Sequence, residues 1–217
     1  MKTNIASIFL ALSSANLSAV TTVNVSNLDS VNTDDRAIVD NSGSVIALGT
    51  GSVQVGYFDT FVSLGDFGTA NRNELLADFQ EFTTTTGNFA NTFNAPGFFS
   101  VQFDETINDL DPIVGKTMHT IVGNGLTLAT STDFVVFRHD GELFAEEVAG
   151  VGGNSGLVRP TDGNLMLGAE NGNITVLDTS VGSYRMALVP VPEPSSAALL
   201  GLGGLALLMR RRRESNL

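Results

Sequence analysis

The sequence contains no cysteine, so neither a disulfide framework nor a thiolate metal site can form anywhere in its 217 residues. It also lacks tryptophan and has only Tyr57 and Tyr184, which weighs against an aromatic platform of the kind on which sugars stack. Only two histidines are present, His119 and His139, and no His-Glu-x-x-His spacing joins them into a zinc motif. Lysine is confined to Lys2 and Lys116. Of the eleven basic residues, Lys2 and Arg210 to Arg213 lie near the two ends, whereas only Glu193 and Glu214 of the 23 acidic residues lie near the second. The intervening body therefore carries about −15, a charge that repels phosphate backbones and excludes a nucleic-acid role.

What is abundant points to strands. Twenty-three glycines and fourteen phenylalanines, with many Thr, Val and Asn, suit short β-strands joined by tight turns. Met1 to Asn4 form a short positive segment, Ile5 to Leu12 an apolar one, and small residues follow at Ser13, Ala15 and Ala19. That is the layout of a secretory signal peptide over residues 1–19, with cleavage expected after Ala15 or Ala19. A β-rich domain over 20–187 and a separate tail over 188–217 complete the expected organisation.

Within the body, strands are expected at Val20–Val25, Arg36–Val39, Val45–Leu48, Ser52–Phe58, Phe61–Leu64, Phe98–Phe103, Thr117–Val122, Leu126–Ala129, Phe134–Phe137, Leu157–Val158, Leu165–Gly168 and Ile174–Leu177. Turns are expected at Asp40–Gly43, Gly123–Gly125, Asp162–Asn164 and Asn171–Asn173. One helix interrupts them. Asn71 and Glu74 have the spacing of a capping box, and Leu75, Phe79 and Phe82 fall on one helical face before four threonines and Gly87 end it. This pattern predicts a mainly β protein, an antiparallel sandwich or jelly-roll-like domain with one short helix.

No motif in the body carries catalytic spacing. Gly153-Asn154-Ser155-Gly156 falls one position short of a nucleophile elbow, and the body reads as non-enzymatic. The densest carboxylate cluster contains Asp104, Glu105, Asp109 and Asp111 just after a strand. Hard oxygen ligands there could gather calcium, but the order of an EF-hand loop is missing, and a solvated acidic loop is the expectation. Asp140-Gly141-Glu142 with Glu146 and Glu147 is a second, sparser cluster. No other cofactor is expected.

The tail has three parts in order: Pro190-Val191-Pro192-Glu193-Pro194, an apolar run from Ser195 to Met209, and Arg210, Arg211, Arg212 and Arg213. Fifteen helical residues span about 22 Å against about 30 Å of hydrocarbon, so the run is a marginal membrane segment, expected as a short transmembrane helix. The arginines hold their side in the cytoplasm and place the body outside.

These residues resemble a PEP-CTERM sorting signal, through Val191 to Ser196, the apolar run and the basic end together. The resemblance covers about thirty residues and leaves the body unassigned. It implies an exported protein of a Gram-negative bacterium, passed through the Sec machinery, held in the inner membrane and processed by an exosortase that recognises Pro192, Glu193 and Pro194. The expected destination is the cell surface or an extracellular matrix of exopolysaccharide, as in biofilms. The body would then be a non-catalytic surface or matrix domain. The alternative is a carbohydrate-binding module engaging exopolysaccharide, with or without calcium; a secreted hydrolase has no motif in its favour.

Overall fold

The computed structural model describes residues 21–28, 36–61, 63–91, 93–107, 111–144, 156–158 and 164–190. The expected signal peptide, the Asp162-Gly163 turn residues and the tail beyond Pro190 lie outside them. Among the described residues the chain is mainly β. Its strands are β1 (Thr21–Ser26), β2 (Arg36–Val39), β3 (Ser52–Phe58), β4 (Phe79–Glu81), β5 (Ser100–Glu105), β6 (Thr117–Gly123), β7 (Asp133–Leu143), β8 (Gly156–Val158), β9 (Asn164–Leu167), β10 (Ala169–Val176), β11 (Thr179–Arg185) and β12 (Ala187–Leu188). Two short helices, α1 (Leu64–Thr69) and α2 (Arg72–Asp78), follow β3.

The largest sheet runs β12-β7-β6-β3-β4, with β9 pairing on the same edge of β7 as β12 but further along it. All its pairs are antiparallel. Two three-stranded sheets, β5-β1-β8 and β10-β11-β2, complete the set. Each contains one parallel pair, β1 with β8 and β11 with β2, so the expectation of a wholly antiparallel domain is corrected to mixed sheets. Parallel neighbours need long crossovers, which the short-turn reading of the sequence did not anticipate.

Alternation along the strands of the large sheet divides the core. Val53, Val55 and Tyr57 of β3, Met118 and Val122 of β6, and Val135 and Phe137 of β7 share one apolar cluster with Val23, Val25, Ile38, Phe103 and Tyr184 from the two smaller sheets. On the other face, Phe58, Ile121, Phe134 and Val136 pack with Phe67 of α1, Leu75 of α2, Leu128 and Val189. The large sheet is thus covered on both sides, and all seven residues of β3 are buried. Each buried Phe or Leu contributes about 1.5–3 kcal/mol relative to exposure, which is what holds these layers together.

The helix is where expectation and structure part most clearly. Its start is as expected: Asn71 Oδ1 accepts from the amides of Asn73 and Glu74 at 3.0 and 3.1 Å, and Glu74 Oε2 accepts from the Asn71 amide at 3.0 Å. Its end is not. The helix stops at Asp78, whose carboxylate accepts from the amides of Thr60 and Phe61 and from the Thr60 hydroxyl at 2.7–3.1 Å. That grip sets Phe79 opposite Phe58 and starts β4, so Phe79 and Phe82 belong to a strand edge and its exit. They enter opposite clusters, Phe79 beside α1 and α2 and Phe82 among the smaller sheets. The expected strand at Phe61–Leu64 is replaced by the entry to α1, where the Ser63 amide donates to the Asp66 carboxylate at 2.8 Å.

Three further expectations change. Leu126–Ala129 is a loop leading into a single 3₁₀ turn, Leu128–Thr130, rather than a strand. Val45–Leu48 makes only an isolated bridge from Val45 to Val39, although the turn at Asp40–Gly43 is present, closed by the Gly43 amide on the Asp40 carbonyl at 3.0 Å. Asn171–Asn173 lies inside β10, at a register shift between Asn171 and Ile174. The real turn is Leu177-Asp178, with φ of 48° and 63° between the paired Val176 and Thr179. Two successive positive φ values are those of a type I′ hairpin, which Asn-Gly would have announced and Leu-Asp does not.

Candidate functional site

Two regions merit description as sites: the point where the body hands over to the tail, and a cleft at the edge of the large sheet. At the first, β12 pairs with the start of β7, setting Ala187 opposite Phe134 and Leu188 opposite Asp133. The Val189 amide donates to the Thr132 carbonyl at 3.0 Å, and the Val189 side chain is buried beneath the helices. Pro190 follows, and its carbonyl accepts from the Arg72 amide at 3.0 Å, at the first residue of α2. The first four amides of a helix lack partners within it, so this contact satisfies a donor that α2 cannot. The body is therefore held up to Pro190, one residue before Val191 and two before Pro192.

The second region is a cleft of about 310 Å³ lined by Tyr57, Gln80, Glu81, Phe82, Glu105 and Asp111, with Thr106, Ile107, Pro112 and Ile113 completing its wall. Burial pushes the Glu81 carboxyl above its ordinary value. Lys116 Nζ lies 5.1 Å from the centre of the Tyr57 ring and 3.6 Å from Asp59. Tyr57 is itself buried, and its hydroxyl is pushed upward by burial and then by the Asp59 charge.

This cleft sorts the acidic residues singled out in the sequence. Glu105 and Asp111 line it, while Asp109 lies outside the described residues. Asp104, the neighbour of Glu105 along β5, is engaged elsewhere: it accepts from the Thr22 hydroxyl at 2.6 Å and from the Gln102 amide at 3.0–3.1 Å. Those bonds hold its carboxyl below the ordinary value. Of the described members of that cluster, Glu105 and Asp111 thus share the cleft and Asp104 is held by partners elsewhere. Among the described residues, no group of three or more histidines and carboxylates is arranged to hold a metal ion. In the second cluster, Asp140 is occupied by Arg138 Nε at 2.7 Å and by the Asn164 side-chain amide. Glu81 and Gln80 were missed as lining residues because the sequence placed them on a helix.

The two histidines are neighbours on adjacent strands but serve opposite faces of the large sheet. His119 packs against the rings of Phe58 and Phe67, with its Nδ1 3.1 Å from the Thr117 carbonyl and no partner for Nε2. His139 Nε2 is 2.9 Å from the Thr120 hydroxyl, and Thr120 follows His119 along β6. Successive strand residues point to opposite faces, so the two rings cannot converge on one ion or one substrate. Burial pushes His119 down to about 4 and His139 down to about 3, keeping both neutral at ordinary pH.

Residues 190–213 match the family model of the PEP-CTERM protein-sorting motif. The motif begins at Pro190, whose carbonyl accepts from the Arg72 amide. It is the recognition signal for an exosortase and implies an exosortase-targeted, exported protein; proteins that carry it are membrane-anchored before cleavage. No curated protein and no solved structure matches the chain. No helix among the described residues is long and apolar enough to cross a membrane, and the run from Ser195 to Met209 lies outside them.

Proposed function

We propose that the chain is a surface or matrix protein of a Gram-negative bacterium, carried by the Sec route, held briefly by the apolar run Ser195 to Met209 with Arg210 to Arg213 in the cytoplasm, and released by an exosortase acting at Pro192-Glu193-Pro194. The observation that carries this reading is the match at residues 190–213, which starts just after β12. The body itself is assigned a non-catalytic, structural role within an exopolysaccharide matrix. Its histidines are neutral, buried and on opposite faces, and Asp104 of its acidic cluster is already bound by Thr22 and Gln102. Replacing Pro192, Glu193 and Pro194 together with alanine tests the first part. An unprocessed, membrane-retained chain is expected, and unchanged processing would overturn the reading.

A second reading, a carbohydrate-binding body, draws on the cleft, whose Glu81 and Glu105 carboxyl groups, Gln80 amide and Thr106 hydroxyl are hydrogen-bond partners for sugar hydroxyls. Both tyrosines are buried, which leaves that cleft without an exposed Tyr or Trp face for stacking. Binding of the exported chain to exopolysaccharide, lost on Glu81→Ala and Glu105→Ala together, is the result that would favour it.

A further inference from the structure

The handover at Pro190 limits how far the body can stand from the membrane. β12, the buried Val189 and the contact between Pro190 and Arg72 keep the chain on the body through Pro190. Only Val191 to Pro194 separate that point from Ser195, where the apolar run begins. Five Cα-to-Cα steps reach at most about 17 Å, less than the width of the body itself.

The direction is set as well as the distance. β12 runs antiparallel to β7, so the chain leaves the sheet past Asp133, at the end where the loop 124–132 joins β6 to β7. The loop is tied shut there by Asn124, which bonds the Thr132 and Asp133 amides at 2.9 and 3.2 Å. Two large apolar side chains are exposed at this end: Leu126 in the loop, 68 % exposed, and Leu188 on β12, 59 % exposed. Leu143, at the opposite end of the 11-residue β7, lies about 33 Å away along the strand.

We propose that this end of the body, presenting Leu126 and Leu188, is a membrane-facing surface that rests on the bilayer while the tail is anchored. The proposal rests on the reading of Ser195 to Met209 as the membrane segment. Its partner is the lipid surface itself. A tether this short raises the local concentration of that surface so far that two exposed leucines suffice for contact. The body's negative charge opposes anionic lipid, which leaves apolar contact and the tether as the attractive terms. An exosortase must then reach Pro192 to Pro194 within the narrow gap between this end and the bilayer.

The absence of cysteine makes the test clean. Full-length Leu126→Cys and Leu143→Cys chains, each labelled with nitrobenzoxadiazole, are reconstituted into phosphatidylcholine vesicles containing doxyl-labelled lipid. Quenching several-fold stronger at position 126 than at 143 is expected. A Gly/Ser linker of about 20 residues inserted between Pro190 and Val191, with a mean span of about 25 Å, should weaken the quenching at 126. Equal quenching at the two positions, or more at 143, in chains that float with the vesicles would overturn the proposal while leaving the anchor reading intact. Chains that do not float would overturn the anchor reading and the proposal together.

Discussion

The Arg72 amide and the Pro190 carbonyl, 118 positions apart in the chain, meet at 3.0 Å and join the start of α2 to a residue two positions before the Pro-Glu-Pro tripeptide. Through that bond and β12, the sorting motif is attached to the body without a free linker. The stability of the body therefore bears on how the motif is presented.

A single buried side chain ties three segments of the body. Asn27 donates from Nδ2 to the Arg36 and Gly97 carbonyls, both at 3.0 Å, and accepts from the Phe99 amide at 2.7 Å. Asn27→Ala removes all three bonds and strips the buried Phe99 amide of this acceptor, while the Gly97 carbonyl keeps the Ile38 amide at 2.8 Å. A loss of roughly 2–4 kcal/mol is expected, read as a lower urea midpoint with an unchanged slope.

Acid should weaken the fold through the histidines before it acts on the carboxylates. Both rings have a folded value below the ordinary 6.5, so the unfolded chain binds more protons once the pH falls below about 6.5. Stability is fully retained above that pH and is lost progressively as the pH falls towards about 4 for His119 and about 3 for His139. The Arg138 charge adds to the cost of protonating His119, while Asp140 offsets part of it for both. Thermal unfolding between pH 7 and pH 5 should show a falling Tm. His139→Gln, which keeps a partner for Thr120, should flatten that fall; an identical slope would contradict the argument.

Close backbone approach makes one glycine indispensable. A Cβ at Gly56 would collide with the Gln80 carbonyl oxygen and lie 2.8 Å from the Phe79 ring, on the strand pair that forms one wall of the cleft. Gly56→Ala should cost roughly 2–3 kcal/mol by forcing β3 and β4 apart. Gly172→Ala, where nothing lies within 4 Å, should stay within about 0.5 kcal/mol of the parent. Paired urea titrations distinguish the two sites.

Calcium should leave the melting temperature where EDTA leaves it. Asp104 is committed to Thr22 and Gln102 while Glu105 and Asp111 line the cleft. A resident site at a hundredfold excess over its Kd would add about 2.7 kcal/mol, a shift that calorimetry resolves easily. Such a shift would require the carboxylates to regroup.

What could be read from the sequence was local. Arg36–Val39 and Ser52–Phe58 have the bounds the alternation indicated, and the capping of α2 by Asn71 and Glu74 follows from spacing alone. The same local logic failed at Phe79 and Phe82, because a spacing of i, i+4 and i+7 is satisfied equally by a helix face and by two side chains bound for different clusters. It failed again at Asn171–Asn173, where turn-forming residues accommodate a bulge instead. The cleft was not legible, since Glu81 and Glu105 come from strands that only the sheets bring near one another.

The sequence by itself determined the mainly β character, the acidic body and the sorting motif, because composition, alternation and a contiguous recognition signal need no distant partner. Tertiary structure alone decided the mixed sheets, the opposite faces of His119 and His139, and the separation of Asp104, held by Thr22 and Gln102, from the cleft that Glu105 and Asp111 share. It also decided that the body holds the chain up to Pro190. Each of these depends on which strands pair and in which register. That choice is settled by the shared burial of residues far apart in the chain, which no local pattern encodes.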